Sequence, residues 1–200
     1  MSITAQQLTS FLVLAIVISV TPGPNNFMVL FSSVRFGAYK TLAHISGASV
    51  GSALMLLLVG LGLHEIFTIF PYIQAVMKYS GAAYILYLSS NMLGSASDAK
   101  QSVTSNPMSF IEASFFQFIN PKSWIMASVA ISTCLPSVFL FEDLALYTVL
   151  FAVVSFPCVG IWAWFGVVIK HYLTDMLLVR RFNQICAGIM ALCALSIMLF

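Results

Sequence analysis

The residues of this chain best suited to bind a small charged molecule form a run of helix breakers near the N-terminus. The run consists of Thr21, Pro22, Gly23, Pro24, Asn25 and Asn26. Because proline has no amide donor, Pro22 and Pro24 free the carbonyls of Ile18 and Val20 from helical hydrogen bonds. If Pro24 begins a new helix, the amides of residues 25 to 27 point unpaired into the break, at the positive end of the helix dipole. The break would then offer acceptors to an ammonium and donors to a carboxylate.

A second group of polar residues follows about half a chain later and consists of Gln117, Asn120, Pro121 and Lys122. Pro121 frees the carbonyl of Gln117 in the same way, and Lys122 lies about ten residues, or roughly 15 Å, into an apolar stretch. A lysine at that depth in a membrane costs about 2.5 to 3.5 kcal/mol, so we interpret it as a functional group that faces a bundle interior. It could bind a carboxylate, or lose its proton when desolvated and take part in proton coupling.

Two further ionisable side chains are candidates, with Lys122, for proton exchange. His44 lies about one turn inside an apolar stretch, and histidine titrates near neutral pH. Glu112 begins another apolar stretch, where a carboxylate also stabilises the helix dipole. Structural alternatives stay open: a simple kink at the first break, a hydrogen bond that neutralises Lys122, a carbonyl or lipid headgroup partner for His44, and a helix cap formed by Glu112.

The composition places these residues in a membrane. Hydrophobic residues make up 60% of the 200 residues, charged residues 7%, and the mean hydropathy is +1.01, well outside the range of soluble proteins. Windows of about 20 apolar residues, enough to cross a bilayer core, lie at Leu8–Val34, Thr41–Leu63, Tyr72–Leu93, Phe110–Cys134, Leu144–Ile169 and Phe182–Phe200. We predict an all-α integral membrane protein with six transmembrane helices in a single domain over residues 1–200.

The two breaks lie in the first and fourth predicted spans. With three spans in each half, the second half enters the bilayer in the inverted orientation. Many secondary transporters are built from such inverted repeats, with the binding site between paired broken helices near the midplane. We therefore predict a 3+3 inverted repeat with broken helices one and four and with halves of approximately residues 1–100 and 101–200.

The basic residues predict the orientation of the chain. The connections after spans one, three and five carry Arg35, Lys40, Lys100, Lys170, Arg180 and Arg181. By the positive-inside rule this face is cytoplasmic. Both termini, and the connections that hold His64 with Glu65 and Glu142 with Asp143, are then periplasmic. The net charge of +2 reports this topology and does not indicate a nucleic-acid partner.

The cysteines and the small residues are expected to serve packing. Cys134, Cys158, Cys186 and Cys193 lie in apolar spans without a Cys-x-x-Cys pair, which indicates core positions, and no spacing predicts a metal ligand set or a cofactor. On the second span, a stripe of small residues, Ala43, Gly47 and Gly51, predicts close helix packing, and we expect its partner to be the first span.

These motifs resemble those of the LysE/RhtB family of bacterial amino-acid exporters over the whole chain. The resemblance rests on the first run of helix breakers, on Gly37, Gly47 and Gly51, on residues 81–84 (Gly-Ala-Ala-Tyr) and on residues 118–122 (Phe-Ile-Asn-Pro-Lys). Within that family, residues 107–136 and 158–171 look most like the cysteine and O-acetylserine exporters.

The resemblance implies proton-driven export of a small amino acid, by antiport, across the bacterial inner membrane. A lysine or arginine cargo would need a buried carboxylate, and Glu112 is the one acidic residue near a span interior, so a neutral cargo such as cysteine, O-acetylserine, homoserine or threonine is favoured. We expect alternating access, with the carboxylate of the cargo held by the first break and Lys122. Whether the chain acts alone or as a homodimer stays open, as do a channel, an exporter of another small solute and, less favoured, a membrane thiol-electron carrier.

Overall fold

The computed structural model describes residues 3–63, 69, 71–94, 106–135 and 139–199, and every regular element in these ranges is helical. The helices are α1 (Ala5–Val20), α2 (Pro24–Phe36), α3 (Ala38–Leu58), α4 (Pro71–Gly94), α5 (Phe110–Ile119), α6 (Pro121–Cys134), α7 (Phe141–Tyr172) and α8 (Met176–Leu199). A π-helical turn, Val59–Leu63, continues α3. His64 and Glu65, which the sequence assigns to a periplasmic connection, and Lys100 lie outside the described residues.

Both predicted breaks are present. Helices α1 and α2 meet at an angle of 55° across Thr21, Pro22 and Gly23, and Asn120 separates α5 from α6. Three helices of the described chain are long and apolar enough to cross a membrane, Ala38–Leu63, Phe141–Tyr172 and Met176–Leu199, and the bent pair α1–α2 brings the number to four. The full set of six spans and the inverted repeat stay predictions.

Local sequence accounts for where the helices begin. Thr4 and Gln7 form a capping box at the start of α1, and Ser109 and Glu112 form another at the start of α5. These reciprocal bonds satisfy amides that have no partner within the helix. Glu112 is thus the cap that the sequence left open as an alternative. Helix α2 begins differently, because its N-cap is Gly23, which has no side chain to accept from the free amides.

The glycine stripe of α3 packs against α5, so the expectation that it faces the first span is wrong. A methyl group at Gly51 would lie 2.6 Å from the carbonyl oxygen of Ser114, and the Ser114 hydroxyl donates to the carbonyl of Gly47 at 2.9 Å. Ala43 is exposed. Small residues permit close backbone approach, but their spacing does not identify the partner helix.

The remaining helices enclose the breaks with two apolar clusters. In one, Phe11 of α1 packs edge-on against Tyr147 of α7, with ring centroids 4.3 Å apart. In the other, α8 packs along α4, and the Ser89 hydroxyl donates to the carbonyl of Ala187 at 2.8 Å. Cys134, Cys158 and Cys186 are buried and Cys193 is half-buried, which agrees with their expected role in packing.

Candidate functional site

The two helix breaks, 101 residues apart in sequence, are in direct contact. The Nζ of Lys122 donates to the carbonyl oxygen of Thr21 at 2.5 Å. A methyl group at Gly23 would lie 3.0 Å from Cδ of Lys122. Since φ of Gly23 is −177°, an extended value open to any residue, the backbone does not require glycine here, and the lack of a side chain leaves room for Lys122. Gly23, Pro24, Asn25 and Asn26 are buried, whereas Thr21 and Pro22 are exposed and Pro121 is half-buried.

Side chains occupy the carbonyls that the first break releases. The Val20 carbonyl accepts from Nε1 of Trp162 at 3.1 Å, and the Ile18 carbonyl accepts from the hydroxyl of Thr21 at 2.8 Å. The expectation that the Ile18 and Val20 carbonyls are free acceptors is therefore wrong. Buried carbonyls need partners, and residues of this chain supply them.

The side chain of Asn26 stabilises the first break by two hydrogen bonds to its backbone. Its Nδ2 donates to the carbonyls of Ser19 at 2.9 Å and Thr21 at 2.8 Å. Of the three amides expected to point free into the break, that of Phe27 bonds to the Gly23 carbonyl at 3.1 Å. The amides of residues 25 and 26 belong to the first turn of α2, where no acceptor within the helix exists. These two are the donors that α2 can offer to an anion.

Gln117 connects the second break to three other parts of the molecule. Its Oε1 accepts from Ser52 of α3 at 3.2 Å, from Nδ2 of Asn120 at 3.1 Å and from Ser123 of α6 at 2.9 Å. Its Nε2 donates to Oδ1 of Asn25 at 3.3 Å. The backbone carbonyl of Gln117 accepts from the Asn120 amide at 3.3 Å, so Pro121 does not leave it free. Gln117 and Asn120 are 1% and 2% exposed.

A cavity of about 40 Å³, which we call the inner cavity, lies between the breaks. The described residues that line it are Ile18, Ser19, Asn25, Asn26, Ala48, Ser52, Gln117, Asn120, Lys122, Ser123, Met126, Phe151, Ser155 and Val159. Among them, Lys122 is the one ionisable side chain, and no carboxylate is present. One water needs about 10 to 15 Å³ by this measure, so the cavity has room for a few waters and is too small for an amino acid. The hydroxyl of Ser19, which has no partner among the described residues, faces this space.

His44 and Glu112 lie apart from Lys122, in a second cavity of about 510 Å³. Its described lining consists of Met28, Phe31, Ser32, Arg35, Phe36, His44, Tyr84, Leu88, Asn91, Met92, Asn106, Pro107, Met108, Ser109 and Glu112. His44 is 1% exposed, and neither ring nitrogen has a hydrogen-bond partner in the part of the chain that the structure describes. The structure thus brings ten of the predicted site residues to the two breaks and these two to a different place.

Three residues at the breaks escape prediction from the sequence. Ser52 and Ser123 bond to Gln117, and Trp162 caps the carbonyl of Val20. Serines and tryptophans are common in apolar helices, so composition and spacing carry no signal for them. Only the fold brings them to the breaks.

Comparison with known proteins gives an independent view of the chain. Residues 16–200 match the family model described as LysE type translocator. Over 130 residues, 65% of this chain and 66% of the relative, it is 29% identical to the cysteine/O-acetylserine efflux protein of Salmonella paratyphi A. It is 28% identical to that of Escherichia coli O157:H7 over the same shares. The protein of that name from Klebsiella pneumoniae is 26% identical over 97% of this chain and 98% of its own length. No solved structure matches.

Proposed function

Because the chain belongs to the LysE type translocator family, we propose that it is a secondary transporter that exports a small neutral amino acid or derivative across the bacterial inner membrane. The family consists of transporters and not enzymes, and the long apolar helices fit a multi-pass membrane protein. The identity of the substrate, the coupling to protons and the orientation of the chain in the membrane go beyond the family membership and are part of our proposal.

The observation that carries the proposal is the lysine at the junction of the two breaks. A charged ammonium that is partly removed from water needs a partner, and the described lining of the inner cavity contains no carboxylate. The Nζ of Lys122 instead bonds to a backbone carbonyl, that of Thr21. A substrate carboxylate would give this ammonium an ionic partner. The amides of Asn25 and Asn26, at the start of α2, provide further donors for it.

The opposite end of the substrate would be held by carbonyl oxygens. When Lys122 turns to the carboxylate, the Thr21 carbonyl loses one of its two donors and can accept from the substrate ammonium. The side-chain oxygen of Asn25, which accepts a single long bond of 3.3 Å from Gln117, is a second acceptor. The site therefore suits a zwitterion, and the lack of a carboxylate in its described lining disfavours a cargo with an extra positive charge.

The side chain of the cargo is the least determined part. The relatives are cysteine/O-acetylserine efflux proteins at 26 to 29% identity, which favours a cysteine-like or O-acetylserine-like cargo over a homoserine-like or threonine-like one. The serines beside Gln117 and the apolar Met126 and Phe151 fit a short side chain of mixed polarity.

The inner cavity, at about 40 Å³, is smaller than an amino acid. Admitting an amino acid requires the breaks to separate, as in alternating access by two halves of a transporter. Protons must favour one state over the other, because a ligand with equal affinity for both shifts nothing. Lys122, His44 and Glu112 are the candidates for this coupling. By the positive-inside rule, this proposal has both termini in the periplasm.

The test is efflux from cells that express the wild type, Lys122→Met or the control Lys40→Met, at matched membrane levels. Labelled cysteine, O-acetylserine, homoserine, threonine and lysine are compared. We expect the wild type and the control to export one neutral amino acid in a saturable manner, and we expect this flux to vanish in Lys122→Met and when the proton gradient is collapsed. Undiminished export by Lys122→Met would refute the site. Flux without saturation would indicate a channel.

A further inference from the structure

We propose that the 510 Å³ cavity beside Arg35, His44 and Glu112 is a second amino-acid site, at which the zwitterion binds before it reaches the breaks. This inference rests on the proposed export function and adds to it the place where the substrate first binds. We call this cavity the vestibule. Its volume lies within the range of about 300 to 1,000 Å³ typical of ligand pockets, whereas the inner cavity measures about 40 Å³.

The vestibule presents opposite charges from two helices. Arg35 comes from the last turn of α2, and its guanidinium lies 5.1 Å from the centre of the Phe36 ring. Glu112 comes from the first turn of α5, where its Oε2 accepts from the amide of Ser109 at 2.8 Å. A guanidinium can bind a carboxylate with two parallel hydrogen bonds, and the remaining carboxylate oxygen of Glu112 can accept from an ammonium. These charges match the two ends of an amino acid.

His44 is the observation that points to a bound solute. The ring is 1% exposed and lines the vestibule, and both of its nitrogens lack a partner among the described residues. A buried polar group without a partner is rare and calls for an explanation such as water or a ligand. A neutral imidazole has one donor and one acceptor nitrogen, so it can bond to either end of a zwitterion in the cavity.

The vestibule also lies where a substrate from the cytoplasm would arrive. Arg35 lies at the end of α2, Gly37 joins α2 to α3, and Lys40 lies near the start of α3. The basic residues predict that this face is cytoplasmic. Helix α5 runs from this cavity to the breaks, since it begins beside Glu112 and carries Gln117 one and a half turns later. Glu112 and Gln117 are therefore roughly 7 to 8 Å apart along the axis of α5, so an amino acid bound at Glu112 would lie about that far from the inner cavity.

The test measures transport kinetics from each face of membrane vesicles. The probe is whichever of cysteine, O-acetylserine, homoserine and threonine the wild type carries. Glu112→Gln is the central variant, because glutamine also serves in a capping box and so keeps the start of α5 while removing the charge. Arg35→Lys keeps the positive charge that directs topology but loses the two parallel N–H donors of the guanidinium. Lys40→Met, near the start of α3 but outside the described lining, is the control.

We expect Glu112→Gln to raise KM roughly tenfold or more from the face that carries Arg35, the usual effect of losing a hydrogen bond to a charged group. Lys40→Met should match wild type, and a change of the maximal rate in Glu112→Gln with an unchanged KM would assign Glu112 to proton coupling and not to the vestibule. Arg35→Lys should raise the same KM. An unchanged KM in both variants would overturn the vestibule while leaving the export function intact.

A separate outcome distinguishes failure of the export function itself. If the wild type carries none of the four amino acids, equilibrium binding of each to the purified protein tests the vestibule alone. Binding that weakens in Glu112→Gln but not in Lys122→Met would support the vestibule, and no binding would overturn it. His44→Leu adds an independent readout: if the histidine is only an unpaired core residue, this variant should raise the melting temperature without changing KM or binding, which would also contradict the proposal.

Discussion

Gln117 is the residue whose replacement should most weaken the contact between the two breaks. In Gln117→Leu, the side chains of Ser52, Asn120 and Ser123 lose their common acceptor, and Oδ1 of Asn25 loses a donor. A buried polar group left without a partner costs about 1 to 3 kcal/mol. The two serine hydroxyls can turn to carbonyls of their own helices, so the Asn120 amide and the Asn25 oxygen carry most of the loss.

The expected cost is therefore about 2 to 4 kcal/mol of unfolding free energy, from two unsatisfied groups partly offset by the apolar side chain of leucine. For a chain of this size 1 kcal/mol corresponds to roughly 2 to 4 °C, so the melting temperature in detergent should fall by about 5 to 15 °C. Gln184→Leu is the matched control, because it makes the same substitution at an exposed position of α8.

Thermal unfolding of the purified variants, followed by circular dichroism, measures this difference. Export should fall as well, because Asn25 and Asn120 lose the group that orients them. If Gln117→Leu melted within 2 °C of the Gln184→Leu control (well below the roughly 5 °C expected) and exported normally, the hydrogen bonds of Gln117 would not hold the breaks together.

Two further predictions concern packing around the breaks. Gly51→Ala should destabilise the protein by about 1 to 3 kcal/mol, because its methyl group would meet the backbone of Ser114 at 2.6 Å. The control Gly188→Ala, with nothing within 4 Å, should be neutral or stabilising by up to about 1 kcal/mol. Equal melting temperatures of the two variants would contradict the close packing at Gly51. Trp162→Phe should lower the free energy of unfolding by roughly 1 to 2 kcal/mol and slow export, because the Val20 carbonyl loses its donor. A melting temperature and an export rate equal to wild type would show that this hydrogen bond is dispensable.

The sequence predicts where the helices break but not how the breaks are satisfied. Proline removes a donor whatever surrounds it, and this favours the interruptions at Pro22 and Pro121, although Pro157 lies inside α7 without ending it. The expectation of a free Val20 carbonyl failed because its donor, Trp162, lies 142 residues away in sequence. Likewise, the spacing of Gly47 and Gly51 predicts a close contact, but the choice of α5 over α1 depends on tertiary packing.

The separation of Lys122 from His44 and Glu112 bears on how a substrate would cross. All three were candidates for one task, and the structure places them in cavities of about 40 and 510 Å³ that α2, α3 and α5 all line. Helix α5 also carries Gln117, whose bonds reach α2, α3 and α6. A movement of α5 that widens the path from the vestibule must break several of these bonds together. Because packed interfaces favour discrete arrangements, we expect such a movement to be a step between two arrangements and not a gradual widening.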